Sequence, residues 1–116
     1  MFWNVQRLTL RKRANGFYSY LLSRKGKFEE ALKYLKIEMR IVDSLTMDHA
    51  FYYGYYNYLL GNEIEADKGM RKVLQLIETV EEKHRILKEM QTGKNDEKSM
   101  EFWNRLKEGV EAKSFK

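Results

Sequence analysis

The residues that most often bind metals or perform catalysis are few in this chain, which has two histidines and no cysteine. Glu81 and His84 have the Glu-x-x-His spacing found in di-iron helix bundles. Such a site needs a second copy of the motif and two further carboxylates on facing helices. His49 has Thr46 where the second glutamate would stand. We therefore expect no metal site, and we interpret both histidines as residues of the surface or of a helix interface.

Other catalytic patterns are equally scarce. The segment Gly93-Lys94-Asn95 lacks the leading glycine and the Ser or Thr after lysine that a phosphate-binding loop requires. No nucleophile elbow, catalytic dyad or glycine-rich cofactor loop is visible in the sequence. The many carboxylates of highly charged helices are usually solvated or paired one helical turn away. We predict a non-enzymatic protein without a cofactor. A small enzyme ranks third among our hypotheses, after the protein-binding and nucleic-acid-binding functions described below.

The sharpest local feature is an aromatic cluster at residues 51–58, where six of eight residues are Phe or Tyr. Successive residues of a helix diverge by about 100°, so these rings surround one helix and cannot all face the same core. Two interpretations follow. Either the helix is central, with neighbours on several sides, or some tyrosines line a binding surface. Tyrosine suits such a surface because it offers a large apolar area with a polar tip.

Basic residues are concentrated in the first third of the chain. The net charge is +5, and residues 1–40 alone hold ten Lys or Arg and three Glu, a net charge of +7. Arg11, Lys12 and Arg13 precede a group of aromatics, and Lys27 follows it. Basic residues interleaved with aromatics are the ingredients of single-stranded nucleic-acid binding. No recognised nucleic-acid motif accompanies them, so a solvated helix face is the competing interpretation and nucleic-acid binding is our second hypothesis.

A repeat organises the chain, because residues 17–45 recur in type 35 positions later, at residues 52–80. The identical residues of the first copy are Tyr18, Tyr20, Gly26, Glu30, Ala31 and Lys33, and those of the second are Tyr53, Tyr55, Gly61, Glu65, Ala66 and Lys68. A fixed period of this size indicates stacked helical hairpins. Proline is absent and glycine is rare, so few positions break helices. We predict one all-α domain of five or six helices.

The apolar periodicity places these helices at about residues 5–24, 28–43, 47–60, 63–78, 80–91 and 97–111, with a loop at 92–96. Gly26 and Gly61 can take the left-handed conformation that ends a helix, and Ser44 or Thr46 can cap the third helix. The Thr79-x-x-Glu82 segment has the form of a capping box that starts the fifth helix. An uninterrupted helix over 63–91 is the alternative, because the apolar stripe continues across this point.

Three features that the sequence lacks bear on the cellular location of the protein. The first residues do not form a basic start, an apolar run and a cleavage site in order, so we expect no signal peptide. No stretch of about 18 apolar residues occurs, so no membrane span is expected. The absence of cysteine fits a reducing compartment. We predict a cytoplasmic protein.

The first turn carries a family resemblance. The segment Gly26-Lys27-Phe28-Glu29-Glu30-Ala31 resembles the Gly-x-aromatic-x-x-Ala core of a tetratricopeptide repeat, and residues 61–66 are a weaker copy. The resemblance implies that each glycine closes a turn and that each alanine lets two helices approach closely. Ser19 and Gly54 occupy the position of the small residue in the preceding helix. The segment Tyr58-Leu59-Leu60-Gly61-Asn62, followed by a helix with Ala and Lys, is also similar to the repeat regions of bacterial peptide-responsive regulators of the Rgg and Rap type.

Some features depart from the tetratricopeptide pattern. The period is one residue longer than usual, the early tryptophan is absent, and no proline follows either second helix. The resemblance implies repeat units at about residues 11–45 and 46–80. A degenerate unit at 81–112 lacks the core motif and would cover the end of the stack.

The resemblance also implies a function and a surface. The first helix of each pair would line a concave face, whose predicted contacts are Tyr18, Tyr53, Tyr56 and Asn57, with Arg24 and Lys25 at the rim. Asn57 would hold the backbone of a bound peptide by paired hydrogen bonds. We therefore predict a protein- or peptide-binding module that acts in regulation or assembly. The amphipathic last helix would either pack on the preceding pair or form a homodimer through its aromatic edge.

Overall fold

The computed structural model describes residues 14–90 and 97–114, and this part of the chain forms six helices and no strand. The helices are α1 (Ala14–Arg24), α2 (Phe28–Ile41), α3 (Met47–Leu59), α4 (Glu63–Leu76), α5 (Val80–Met90) and α6 (Glu97–Ala112). The all-α prediction is confirmed. The predicted loop at 92–96 and the predicted start of the first helix lie outside the described residues.

The first four helices form two antiparallel hairpins with the same turn. Three residues separate α1 from α2, and three separate α3 from α4. Gly26 and Gly61 have positive φ angles of 77° and 85°, which glycine adopts without steric cost. The Lys27 amide donates to the Leu22 carbonyl (3.0 Å), as the Asn62 amide donates to the Asn57 carbonyl (2.8 Å). These hydrogen bonds are 35 residues apart, so the sequence repeat is also a repeat of backbone geometry.

Small residues let the helices of each hairpin approach closely. In the first hairpin the Ser19 hydroxyl donates to the Ala31 carbonyl (2.5 Å), and both residues are buried. In the second hairpin Gly54 lies against Ala66 and Gly69. The expectation that Ala31 and Ala66 are enclosed between helices is confirmed.

The end of α4 decides between the two predictions for this region. The helix ends at Leu76 and α5 begins at Val80, so the uninterrupted helix over 63–91 is wrong. Thr79 Oγ1 accepts a hydrogen bond from the Glu82 amide (3.1 Å), and the Glu82 carboxylate accepts one from the Glu78 amide (3.3 Å). The Thr79 half of the predicted capping box is therefore present, whereas the Glu82 carboxylate accepts from the amide one residue before the cap instead of from the Thr79 amide.

Helix α3 is central, because it packs against α2, α4 and α6. Phe51 is buried against Tyr55, Phe102 and Trp103, and Tyr56 is buried in the first hairpin's core. Neighbours on several sides therefore explain most of the aromatic cluster, as the first interpretation of residues 51–58 expected.

The last helix covers the second hairpin. Phe102, Leu106 and Val110 are buried in one core with Val73 and Ile77 of the α4 region. The apolar face of α6 is thus used within the chain, which is the first of the two alternatives for this helix. Among residues 14–90 and 97–114, no helix has both the length and the apolarity needed to cross a bilayer.

Candidate functional site

A shallow groove with a volume of about 290 Å³ opens where α2 meets α3. It is lined by Lys36, Met39 and Arg40 of α2 and by Tyr53 of α3. The three α2 residues share one face because residues three and four apart are neighbours on a helix. Met39 and the Tyr53 ring supply apolar surface, and the two cations stand along the α2 side.

Tyr53 is held in place from the α4 side of the groove. Its hydroxyl donates to Glu65 Oε1 (2.5 Å), and Lys68 Nζ lies 2.8 Å from Glu65 Oε2. Burial first, and then the hydrogen bond to Glu65, raise the pKa of Tyr53 to about 12. The pKa of Glu65 is lowered, chiefly by the Lys68 hydrogen bond and then by Tyr53, with a smaller contribution from the charge of Lys36. The ring is therefore a neutral phenol in a defined orientation.

Lys36 and Arg40 are not held in ion pairs, although the charge of Lys36 reaches Glu65. Both side chains are exposed, and neither forms an ion pair with any residue in the described part of the chain. By contrast, Lys68 is paired with Glu65, and Arg71 is paired with Asp67. The groove thus combines an apolar floor with two available positive charges, which is an arrangement for binding an apolar group beside an anion.

Lys36, Arg40 and Glu65 were not among the predicted site residues, and neither was Met39, which continues the apolar stripe of Leu32 and Leu35 on α2. One signal was available, since Lys36 and Arg40 lie one turn apart beside that stripe. What joins them to Tyr53 and Glu65 is the packing of α2 against the second hairpin, which no local pattern shows.

Only Tyr53 among the predicted contacts lines this groove. Tyr18 is 46% exposed on α1, where its ring packs edge-on against Tyr34 with ring centroids 4.7 Å apart. The Arg24 guanidinium, at the end of α1, donates to the Tyr20 hydroxyl (3.0 Å). Lys25 is exposed in the following turn. These three residues form part of the surface of the first hairpin and lie outside the groove.

Tyr56 and Asn57 are corrections to the predicted surface, because each is only 1% exposed. Tyr56 packs among Leu22, Leu32 and other residues of the first core, and this burial raises its pKa to about 12. Asn57 Nδ2 donates to the Tyr53 carbonyl (2.9 Å), and its Oδ1 accepts from Asn62 Nδ2 (3.0 Å). Asn57 therefore binds the backbone of its own chain and fixes the turn into α4.

The structure describes only one of the four predicted nucleic-acid contacts. Arg11, Lys12 and Arg13 lie outside the described residues. Lys27 is exposed in the α1–α2 turn. Their role stays a prediction.

A buried polar group that sequence reasoning missed joins the two hairpins. Glu38 of α2 is 1% exposed, and its Oε2 lies 3.1 Å from His49 Nε2 of α3. The Thr46 amide donates to His49 Nδ1 (3.0 Å), and Thr46 Oγ1 accepts from the His49 amide (3.3 Å). This network assigns the proton to Nε2, which donates to the Glu38 carboxylate. The histidines were expected at the surface or at a helix interface, and the structure places His49 at an interface and His84 at the surface.

The hydroxyl, imidazole and carboxylate of this group superficially match the order of a catalytic triad. Thr46 Oγ1 also lies 3.0 Å from His49 Nδ1. However, the lone pair of Nδ1 already accepts the Thr46 main-chain N–H, so the imidazole is not available to take the hydroxyl proton. The arrangement instead caps α3 and ties it to α2. The signal in the sequence was an acid, Glu38, at a position in line with Ala31 and Leu35 on the apolar stripe.

Within the described residues, no three His, Asp or Glu side chains are grouped in a way that could hold a metal ion. No protein-family model, curated protein or solved structure matches this chain.

Proposed function

We propose that this chain is a non-enzymatic protein- or peptide-binding module, a regulatory or assembly adaptor that holds a segment of its partner in the groove between α2 and α3. One observation carries the proposal. Met39 and the ring of Tyr53 form an open apolar floor beside Lys36 and Arg40, two cations without an ion-pair partner among the described residues.

The proposed mechanism is passive and depends on a preformed surface. Tyr53 is already oriented by Glu65, and the helices that carry the groove are packed through buried side chains. Binding then costs little ordering of the protein, so more of the contact energy appears as affinity. The free charges speed the encounter with an acidic partner and favour it over a basic one.

The test compares partner capture by three forms of the protein. Wild type, Tyr53→Ser and Tyr18→Ser are immobilised and exposed to extract of the source cell, and retained proteins are identified by mass spectrometry. Tyr18 is the matched control, because it is an exposed tyrosine outside the groove. Partners should be retained by wild type and Tyr18→Ser and lost from Tyr53→Ser. If all three forms retain the same proteins, the groove is not the binding surface.

The second hypothesis, nucleic-acid binding through the basic N-terminal segment, gives a different result in the same experiment. Retention should then disappear after nuclease treatment and weaken steeply with salt, because phosphate contacts release condensed counterions. Replacing Arg11, Lys12 and Arg13 with Gln should abolish it, whereas Tyr53→Ser should not.

A further inference from the structure

We infer that the groove selects one large apolar side chain that carries carboxylates on one flank only, the flank that faces α2. This inference rests on the proposed function and names the chemistry of the bound segment. Three observations carry it: the size of the groove, the free charges on its α2 side and the occupied carboxylate on its α4 side.

The size of the groove limits what enters it. A volume of about 290 Å³ lies at the lower end of the range for ligand pockets, and a helix about 10 Å across would not fit inside it. The apolar floor consists of Met39 and the face of Tyr53. A thioether adapts to the shape of its neighbour, and a fixed aromatic ring offers a broad flat contact. The entering group is therefore a single large side chain, with the rest of the segment lying over the rim.

The α2 flank favours carboxylates. Lys36 and Arg40 are four residues apart on α2, so they are neighbours along one side of the groove. Neither forms an ion pair with a residue in the described part of the chain, and only the longer-range charge of Lys36 acts on Glu65. The guanidinium of Arg40 can bind one carboxylate through two parallel hydrogen bonds, and the ammonium of Lys36 can bind a second as a point charge.

The α4 flank disfavours carboxylates. Glu65 does not line the groove itself but stands at the Tyr53 hydroxyl on the α4 side, and its two oxygens already accept from Tyr53 and Lys68. A second carboxylate on this side would compete for the Lys68 ammonium and would face the Glu65 charge. One ammonium would then face two carboxylates, so an acid here gains little attraction and meets the Glu65 charge, whereas an acid beside α2 meets two cations. This difference makes the selectivity one-sided.

A peptide display library tests the inference directly. Random linear peptides are panned on the wild-type protein, and the enriched sequences are made as acetylated and amidated peptides. Their affinities are measured by fluorescence anisotropy for wild type, Tyr53→Ser and Lys36→Gln/Arg40→Gln. Arg85→Gln/Lys88→Gln serves as the charge control, because both residues are exposed on α5 and the change removes the same two charges.

The expected peptides carry acidic residues on one side of a large apolar residue. Their affinity should fall roughly five- to twentyfold in Lys36→Gln/Arg40→Gln, the size expected for losing two exposed ion pairs. It should stay within about twofold in the α5 control and should be lost in Tyr53→Ser. Glu65→Gln should raise the affinity for peptides that carry acidic residues on the α4 flank. Circular dichroism of each variant verifies that its helices are intact.

The possible results separate this inference from the proposed function. Neutral or basic peptides that bind wild type and not Tyr53→Ser would support the groove and overturn its acidic selectivity. Acids enriched equally on both flanks, or equal binding to Lys36→Gln/Arg40→Gln, would also overturn the inference. If no peptide distinguishes wild type from Tyr53→Ser, the proposed function and the inference both fail.

Discussion

Helices α3 and α4 approach each other closely at Gly54 and Gly69, and substituting Gly69 with Ala tests this contact. A Cβ atom built on Gly69 would lie 2.5 Å from both Cα and N of Gly54 and 2.9 Å from the Ala50 carbonyl oxygen. Ordinary contacts begin at 3.4 Å, so the two backbones would have to separate by about 0.9 Å. All three obstructing atoms belong to the main chain of α3. No side-chain rotation can relieve the clash.

The magnitude follows from two opposing effects. Inserting a methyl group into a well-packed interior costs about 1–3 kcal/mol, and an unyielding backbone places Gly69→Ala at about 3 kcal/mol. Replacing glycine in a helix interior with alanine stabilises the folded protein by about 1 kcal/mol, because alanine has the higher helix propensity. The free energy of unfolding should therefore fall by about 2 kcal/mol. The corresponding decrease in Tm is about 8 °C for a domain of this size.

Gly109→Ala is the matched control, because it makes the same chemical change in α6. There the new Cβ would lie 2.9 Å from Leu74 Cδ1, the far end of a flexible side chain that can rotate away. The helix-propensity gain should then prevail, leaving the variant equally stable or up to about 1 kcal/mol more stable. Gly54→Ala should be intermediate, since its nearest neighbour is the Ala66 carbonyl oxygen at 3.1 Å.

The assay is urea denaturation followed by far-ultraviolet circular dichroism, with the slope m compared among the variants. Similar slopes would show that the same structure unfolds in each case. If Gly69→Ala proved as stable as Gly109→Ala, to within about 0.5 kcal/mol, α3 and α4 would not approach as closely as described, and the arrangement of the second hairpin would be refuted.

Three further predictions test other parts of the structure. Burial raises the pKa of Tyr56 to about 12, above its unfolded value near 10, so about 2–3 kcal/mol of stability is present below pH 10 and lost as the pH rises to 12. Denaturation at pH 8 and pH 11.5 should show a smaller alkaline loss for Tyr56→Phe than for wild type. Phe102→Ala should lower the unfolding free energy by about 3–5 kcal/mol in the same assay, and a loss below 1 kcal/mol would contradict a packed α6. His49→Ala should cost about 3 kcal/mol by leaving the Glu38 carboxylate without its imidazole donor, and a double-mutant cycle with Glu38→Gln should show coupling; additive effects would argue against the observed pair.

The hairpins were predictable because their determinants are local. Gly26 and Gly61 are needed where the chain takes a positive φ, and Ala31 and Ala66 are needed where two helices touch. Both requirements restrict the residue type at fixed distances from each turn. Two equivalent turns therefore produce the same residue types 35 positions apart in the sequence. The break before α5 was predictable for the same reason, because Thr79 and Glu82 form their capping bonds within one helical turn.

The candidate site was predictable only in part. The aromatic composition of residues 51–58 pointed to α3, and Tyr53 does line the groove. Tyr56 and Asn57 did not remain in the site, because both lie on the buried side of the same helix. Helical periodicity gives the angles between these residues, but several orientations of the helix satisfy it equally well when almost every position is apolar or aromatic.

The all-α class, the repeated hairpins and the glycine turns follow from the amino-acid sequence alone, since backbone conformation and close helix contact depend on nearby residues. The three-dimensional packing was needed to show which tyrosine lines the groove, which acid is buried beside His49, and that Lys36 and Arg40 lie beside Tyr53. These relations depend on how α2 packs against α3 and α4. That packing reflects the shapes of whole helix faces, so residues from separate helices come together without any fixed spacing along the chain.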